Sequence, residues 1–136
     1  MQALAKAAPF NLADASILDI GCGFAFPDEK GVLQNSYQPW LCRALHSMGA
    51  GIAGIDVSCL VLRERFDAYC IDLMVEGSLS LFPDNSVDIA FANMLFDDPG
   101  LLQSYGPHAG EALRSRLVPQ LERIVRPSGV FIYTEF

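Results

Sequence analysis

Charge is scarce in this chain, and basic charge most of all. Of 136 residues only 9 are Lys or Arg, against 16 Asp or Glu, which leaves a formal net charge of -7. No local cluster of basic side chains interrupts that acidic balance. An acidic surface repels a phosphate backbone, so nucleic acid is a poor candidate partner. Uninterrupted apolar length is lacking too: no run reaches the roughly 20 residues that cross a bilayer. The opening MQALAKAAPFNLADAS has no continuous apolar core of the signal-peptide kind. No membrane partner is expected, and the protein is expected to be soluble and cytoplasmic. The four cysteines, Cys22, Cys42, Cys59 and Cys70, form no C-x-x-C pair and match no zinc spacing. Each lies among apolar residues, where a reduced thiol packs as a small hydrophobe. All four are therefore expected to be structural filler in a reducing compartment, and no metal is expected.

What the chain does have is apolar material in short pieces. Hydrophobic residues make up 51% of it, enough for a core covered on both sides. Five runs stand out: Ser16 to Ile20, Gly51 to Val57, Ala68 to Met74, Val87 to Leu95 and Gly129 to Glu135. They are nearly continuous in apolar residues rather than alternating, which suits strands buried on both faces of a parallel sheet. Between the first two, Gln38 to Met48 has helical period, with Trp40, Leu41, Ala44, Leu45 and Met48 on one face and Gly49 just past the end. A short helix is expected over Cys59 to Phe66, and a turn over Phe82 to Ser86. Leu113, Leu117, Leu121, Ile124 and Val125 repeat at helical spacing before the last run. Pro119 falls inside that pattern and predicts a kink or a break into two helices. Strands alternating with helices imply βαβ units in an α/β, Rossmann-like, doubly wound and mostly parallel sheet, forming a single domain over residues 1–136. The stretch from Phe26 to Gln38 fits neither period and reads as a loop inserted after the first glycines.

The chemistry concentrates where the strands end. Leu18-Asp19-Ile20-Gly21-Cys22-Gly23 is a glycine turn leaving a buried strand, where the backbone turns sharply and approaches a ligand with no Cβ in the way. By itself D-x-G-x-G is a weak signal, because tight strand-to-helix turns use glycine for steric reasons alone. Asp56 ends the second run, where a carboxylate can accept both hydroxyls of a ribose, although Asp-Val-Ser also reads as the start of a helix. Asp72 repeats the pattern in the third run, where it could accept the exocyclic amine of an adenine with Leu73 packed on the ring. Acids ending successive strands at one sheet edge mark the edge at which open α/β sheets bind ligands.

In order along the chain, ILDIGCGFA, GIDVS, IDL, FPDNSVDIAFANMLFDDP and LERIVRPSGVFIYTE resemble the motifs of class I S-adenosylmethionine-dependent methyltransferases, and most closely the branch acting on small molecules. The resemblance covers about Ser16 to Glu135. It implies S-adenosyl-L-methionine as cofactor. Asp19, Gly21, Cys22 and Gly23 would cradle its methionine end, and Asp56 would hold the ribose with Val57 beside the adenine. Asp72 and Leu73 would form the adenine pair, and Asn93 with Met94 would face both the methionine part and the substrate. No catalytic residue is assigned. Phe96, Asp97, Tyr105 and His108 are candidates to face a small-molecule acceptor; an ordinary loop histidine and a solvated Asp97-Asp98 turn are the plainer readings of two of them.

The sequence departs from the family in Ala25, where a third glycine is common, in a short N-terminal region, and in ending after the fifth strand. The family's sixth and seventh strands form a hairpin over the edge of the fifth. Their absence predicts an open edge at Val130 to Phe136, and hence a homodimer formed by edge pairing or exchange of elements. Three functions compete: an active small-molecule methyltransferase, an inactive methyltransferase-like interaction or regulatory module, and a nicotinamide-dependent dehydrogenase. The last is disfavoured because no G-x-G-x-x-G follows the first strand.

Overall fold

In the computed structural model, which describes residues 11–23, 29–30, 38–57 and 64–135, the five apolar runs pair into one sheet. The strands are β1 (Ser16–Ile20), β2 (Gly51–Asp56), β3 (Asp67–Cys70), β4 (Val87–Asn93) and β5 (Val125–Thr134). Their spatial order is β3-β2-β1-β4-β5, and every pairing is parallel. Among the described residues three α-helices accompany them: α1 (Trp40–Ser47), α2 (Pro99–Tyr105) and α3 (Ala109–Ile124). Among the described residues no helix is long and apolar enough to cross a membrane.

Side chains alternate across a strand, so each strand feeds two cores. From β1, Ile17 packs with Leu41, Cys42 and Leu45 of α1, while Leu18 and Ile20 pack with Leu113, Leu117 and Ile124 of α3. Helices thus cover both faces, as the continuous apolar runs predict. The face that α1 buries differs from the expected one. Leu41, Cys42 and Leu45 point inward, whereas Trp40 and Met48 are 63% and 49% exposed. Residues 41, 42 and 45 lie on one stripe of the helix, and Trp40 sits at its rim. Gly49 takes φ +88° just after the helix, as expected of a terminating glycine.

Pro119 neither breaks nor divides α3, which runs from Ala109 to Ile124 as one element. The ring removes one amide donor, but it lies on the exposed side of the helix. The apolar stripe of Leu113, Leu117, Leu121 and Ile124 keeps its seat on the sheet. The third strand is shorter than expected and stops at Cys70, because Asp72 turns the chain. Its Oδ1 accepts the Met74 amide at 2.9 Å, and its carbonyl accepts that of Val75 at 3.2 Å. β4 ends at Asn93, where Met94 adopts φ 54°. β5 starts early, at Val125, through a register irregularity opposite Val87 and Ile89. Gly129 belongs there, since a Cβ would lie 2.6 Å from the Asp88 carbonyl oxygen.

The expected helix over Cys59 to Phe66 falls largely outside the described residues, as does most of the Phe26 to Gln38 loop; Glu64 to Phe66 are not helical. Cys22 and Cys42 are buried free thiols and pack as filler. Cys70 corrects the reading of four reduced cysteines, because it is disulfide-bonded. A disulfide requires two Cα atoms within about 7 Å and Cβ vectors that converge, which the fold decides and motif spacing does not.

Candidate functional site

Strand order reverses direction between β1 and β4, and the chain leaves both strands at the same sheet edge. A cleft of about 490 Å³ opens there, within the range of small-molecule sites. Its floor is the glycine turn. Gly21 and Gly23 take φ +74° and +79°, a region that side chains disfavour. The turn is tied to β2 by the Gly21 and Cys22 amides, which both donate to the Ile55 carbonyl at 2.8 and 3.0 Å. The Gly23 amide donates to Asp56 Oδ2 at 2.9 Å, so the turn and the acid at the end of β2 orient each other.

Beside Asp56 the wall continues through Val57, Ile71, Asp72, Leu73 and Met74, and opposite it through Asn93, Met94 and Leu95. Asp98, Gly100, Leu101, Ser104 and Tyr105 close the remaining side. The lining therefore holds three carboxylates and, among the described residues, no Lys, Arg or His. Such a field favours a cationic ligand and opposes a pyrophosphate. Among the described residues no group of His, Cys, Asp or Glu side chains could hold a metal ion.

Asp19 occupies a different place from the other two acids. It is 4% exposed, does not line the cleft, and lies beneath the glycine turn on the α1 side of the sheet. Cys42 Sγ donates to its Oδ2 at 3.3 Å. Burial raises its pKa to about 6; the Cys42 hydrogen bond opposes that rise and the nearby charge of Asp56 adds to it. The Cys42 thiol is itself pushed up by its hydrogen bond with Cys22, by burial and by Asp19, so it stays protonated. Cys22 points away from the cleft into the same cluster, and a Cβ on Gly54 would meet both sulfurs, at 2.8 and 3.0 Å.

Of the residues read from sequence as cofactor-binding, Gly21, Gly23, Asp56, Val57, Asp72, Leu73 and Asn93 share the cleft, while Asp19 and Cys22 underlie it. The acceptor candidates divide. Tyr105 lines the cleft and donates its hydroxyl to Asp72 Oδ2 at 2.8 Å. Phe96 is 4% exposed and packs in the core beneath α3, with Arg114 over its ring at 4.7 Å. Asp97 is exposed and outside the lining, and His108 is the exposed residue that precedes α3. Asp98 behaves as the capping acid expected of that turn: its Oδ1 accepts the Leu101 amide at 2.8 Å. The helix it caps, α2, was not anticipated. Its signal was an acid followed by proline, an N-cap with proline in the first turn.

The chain is an open parallel α/β sheet with a glycine turn and strand-end acids at its switch point, the edge at which sheets of this class bind ligands. More particularly, the fold is that of S-adenosylmethionine-dependent methyltransferases. A methyltransferase of that kind from Mesorhizobium loti superposes with a TM-score of 0.61 at 22% identity, over 98% of this chain and 52% of its own. The geranyl diphosphate C-methyltransferase of Streptomyces coelicolor A3(2), solved with S-adenosyl-L-homocysteine, gives 0.53 at 14% identity, over 97% and 43%. A Haloferax volcanii structure of the Trm112 methyltransferase activator with its methyltransferase partner gives 0.57 at 21%, over 97% and 49%. The chain thus spans about half the length of the solved structures it matches. No family model and no curated protein matches the sequence.

Proposed function

We propose that the chain binds S-adenosyl-L-methionine and acts in a methyltransferase whose acceptor is a small molecule. The observation that carries this reading is the convergence of Asp56, Asp72 and the Gly21 to Gly23 turn on one cleft at the carboxyl edge of the sheet. The lining suits the group: carboxylates for a diol and an amine, apolar Val57, Ile71 and Leu73 for a ring, and a negative field for a sulfonium. Asp56 would take the ribose hydroxyls, Asp72 the exocyclic amine and Leu73 the adenine face. Gly21, Cys22 and Gly23 would carry the backbone past the methionine end, above Asp19, and Asn93 and Met94 would border the acceptor. When bound, the cofactor supplies a methyl group on an excellent leaving group. The protein then contributes alignment and the exclusion of water. Of the four acceptor candidates, Tyr105 is the one retained, because it lines the cleft.

A non-catalytic interaction module is the second reading, and one observation favours it. β5 is the last strand in the sheet order, with no strand beyond it among the described residues. Pairing of two copies along that edge is the homodimer we propose, and light scattering at micromolar concentration tests it; a monomer refutes it. The cytoplasmic expectation rests on the free thiols Cys22 and Cys42, and the disulfide at Cys70 is the observation against it. Thiol labelling of the protein taken directly from cells decides it, with Cys70 modified if the location is correct. For the function itself, thermal shift with S-adenosyl-L-methionine and S-adenosyl-L-homocysteine should raise the melting temperature, and labelled methyl should pass to a member of an acceptor panel. No shift with either ligand sinks the reading. A shift without transfer to any acceptor selects the interaction module.

A further inference from the structure

The side of the cleft built by α2 is held differently from the rest. α2 buries no side chain fully, whereas α3 directly after it buries Ala109, Leu113, Leu117, Leu121 and Ile124. The segment carrying α2 is bracketed by two left-handed backbone positions, Met94 at φ 54° and Gly106 at φ 92°. Within that bracket it is internally tied: Asp98 caps the Leu101 amide, its carbonyl accepts the Leu102 amide at 3.1 Å, and Gly106 donates to Leu102 at 2.9 Å. The segment is a small, internally bonded piece between two left-handed backbone positions, seated on the core through half-buried Leu101.

Across the cleft stands Asp72. Its Oδ1 is engaged by the Met74 amide of its own turn, and its Oδ2 receives the Tyr105 hydroxyl. Among the described residues this hydrogen bond joins α2 to the opposite wall. Tyr105 is 49% exposed, so water competes for both partners and the bond contributes little to folding. Asp72 accordingly holds the phenol proton more tightly on Tyr105, raising its pKa through the hydrogen bond first and burial and charge second.

We propose that α2 is a flap latched across the ligand cleft by Tyr105 and Asp72, and that Tyr105 is a positioning residue which must release Asp72 before a ligand amine can bind there. The proposal rests on the reading that Asp72 receives the amine of an adenosyl group. A donor on the ligand takes over Oδ2, and Tyr105 swings out with α2. The latch thereby sets the rate of entry, while the depth of binding is set by Asp56, Asp72 and the glycine turn.

The test compares wild type with Tyr105→Phe and Asp72→Asn, by hydrogen exchange on the ligand-free protein and by stopped-flow association of S-adenosyl-L-homocysteine. Tyr105→Phe should lower amide protection across 99–105 by about two- to tenfold, the range of one exposed hydrogen bond, with the melting temperature held. It should also raise the association rate by a similar factor. Asp72→Asn should loosen the same segment and weaken binding as well. Unchanged protection of 99–105 in Tyr105→Phe overturns the latch. So does a uniform loss of protection with a lowered melting temperature, which would make Tyr105 a structural tie. Looser 99–105 with no ligand bound by any form keeps the latch and overturns the cofactor reading. Looser 99–105 with binding but an unchanged association rate overturns the gating role.

Discussion

Replacing Asp19 by asparagine should make the protein more stable at neutral pH, although it removes a buried side-chain charge under the glycine turn. Asp19 is 4% exposed, and burial lifts its pKa to about 6 from the ordinary carboxylate value of 3.8. The folded state therefore holds a proton that the unfolded state has released between about pH 4 and pH 6. A raised carboxyl pKa favours the fold below the unfolded value, and that contribution is lost as pH climbs through the folded value. A rise from 3.8 to about 6 makes the ionised group cost up to about 3 kcal/mol at neutral pH. Asparagine is neutral at every pH and keeps nearly the same shape. Its amide needs a partner that Cys42 supplies poorly, which offsets part of the gain and leaves about 1–2 kcal/mol. Urea unfolding followed by far-ultraviolet circular dichroism at pH 5.0 and pH 7.5 reads the effect. The stability difference between variant and wild type isolates Asp19 from every other titrating group. It should favour the variant clearly at pH 7.5 and shrink at pH 5.0. A difference that is the same at both values would refute the burial argument.

Other perturbations probe the packing and the charge. Gly54→Ala places a methyl 2.8 Å from Cys22 Sγ and 3.0 Å from Cys42 Sγ, and should cost about 1–3 kcal/mol in denaturant unfolding. Gly110→Ala should be worse, because its Cβ would collide with the Phe96 carbonyl oxygen, which is backbone and cannot swing aside. Leu117→Ala, at a fully buried position on α3, should lose about 2–5 kcal/mol by the same assay. A cationic ligand above Asp19 should pull its pKa down, so binding near pH 6 should release a proton. Calorimetry in two buffers of different ionisation enthalpy detects that release, and buffer-independent heats would contradict it.

The central strands β1, β2 and β4 were legible because burial on both faces writes itself as continuous apolar runs, and the half-buried edge strands β3 and β5 kept enough apolar residues to follow them. Ser16 to Ile20 was delimited to the residue, and the glycines after it do take left-handed φ angles. Asp56 and Asp72 were traceable to one edge because parallel strands all end there. Asp19 was placed with them by motif, yet strand alternation puts it on the face of Ile17, under α1 and away from the opening. Phe96 was read as facing an acceptor because it follows β4. The cue to its burial lay fourteen positions on at Gly110, which has no Cβ to strike the Phe96 carbonyl. Pro119 misled because its penalty depends on which side of the helix it occupies, and it lies on the exposed side, off the stripe of Leu113, Leu117, Leu121 and Ile124. Cys70 was missed for another reason: a disulfide depends on how the fold brings two thiols together, which metal and redox motif spacings do not register.

The proposed function depends on Asp56 and the glycine turn, joined by the bond from the Gly23 amide to the Asp56 carboxylate, acting together on a ligand. Isothermal titration of S-adenosyl-L-homocysteine into wild type and Asp56→Ala measures this directly. The expected result is saturable binding to wild type and at least tenfold weaker binding to the variant, about 1.4 kcal/mol or more. Equal affinity for the two proteins, or no heat with wild type, would contradict it.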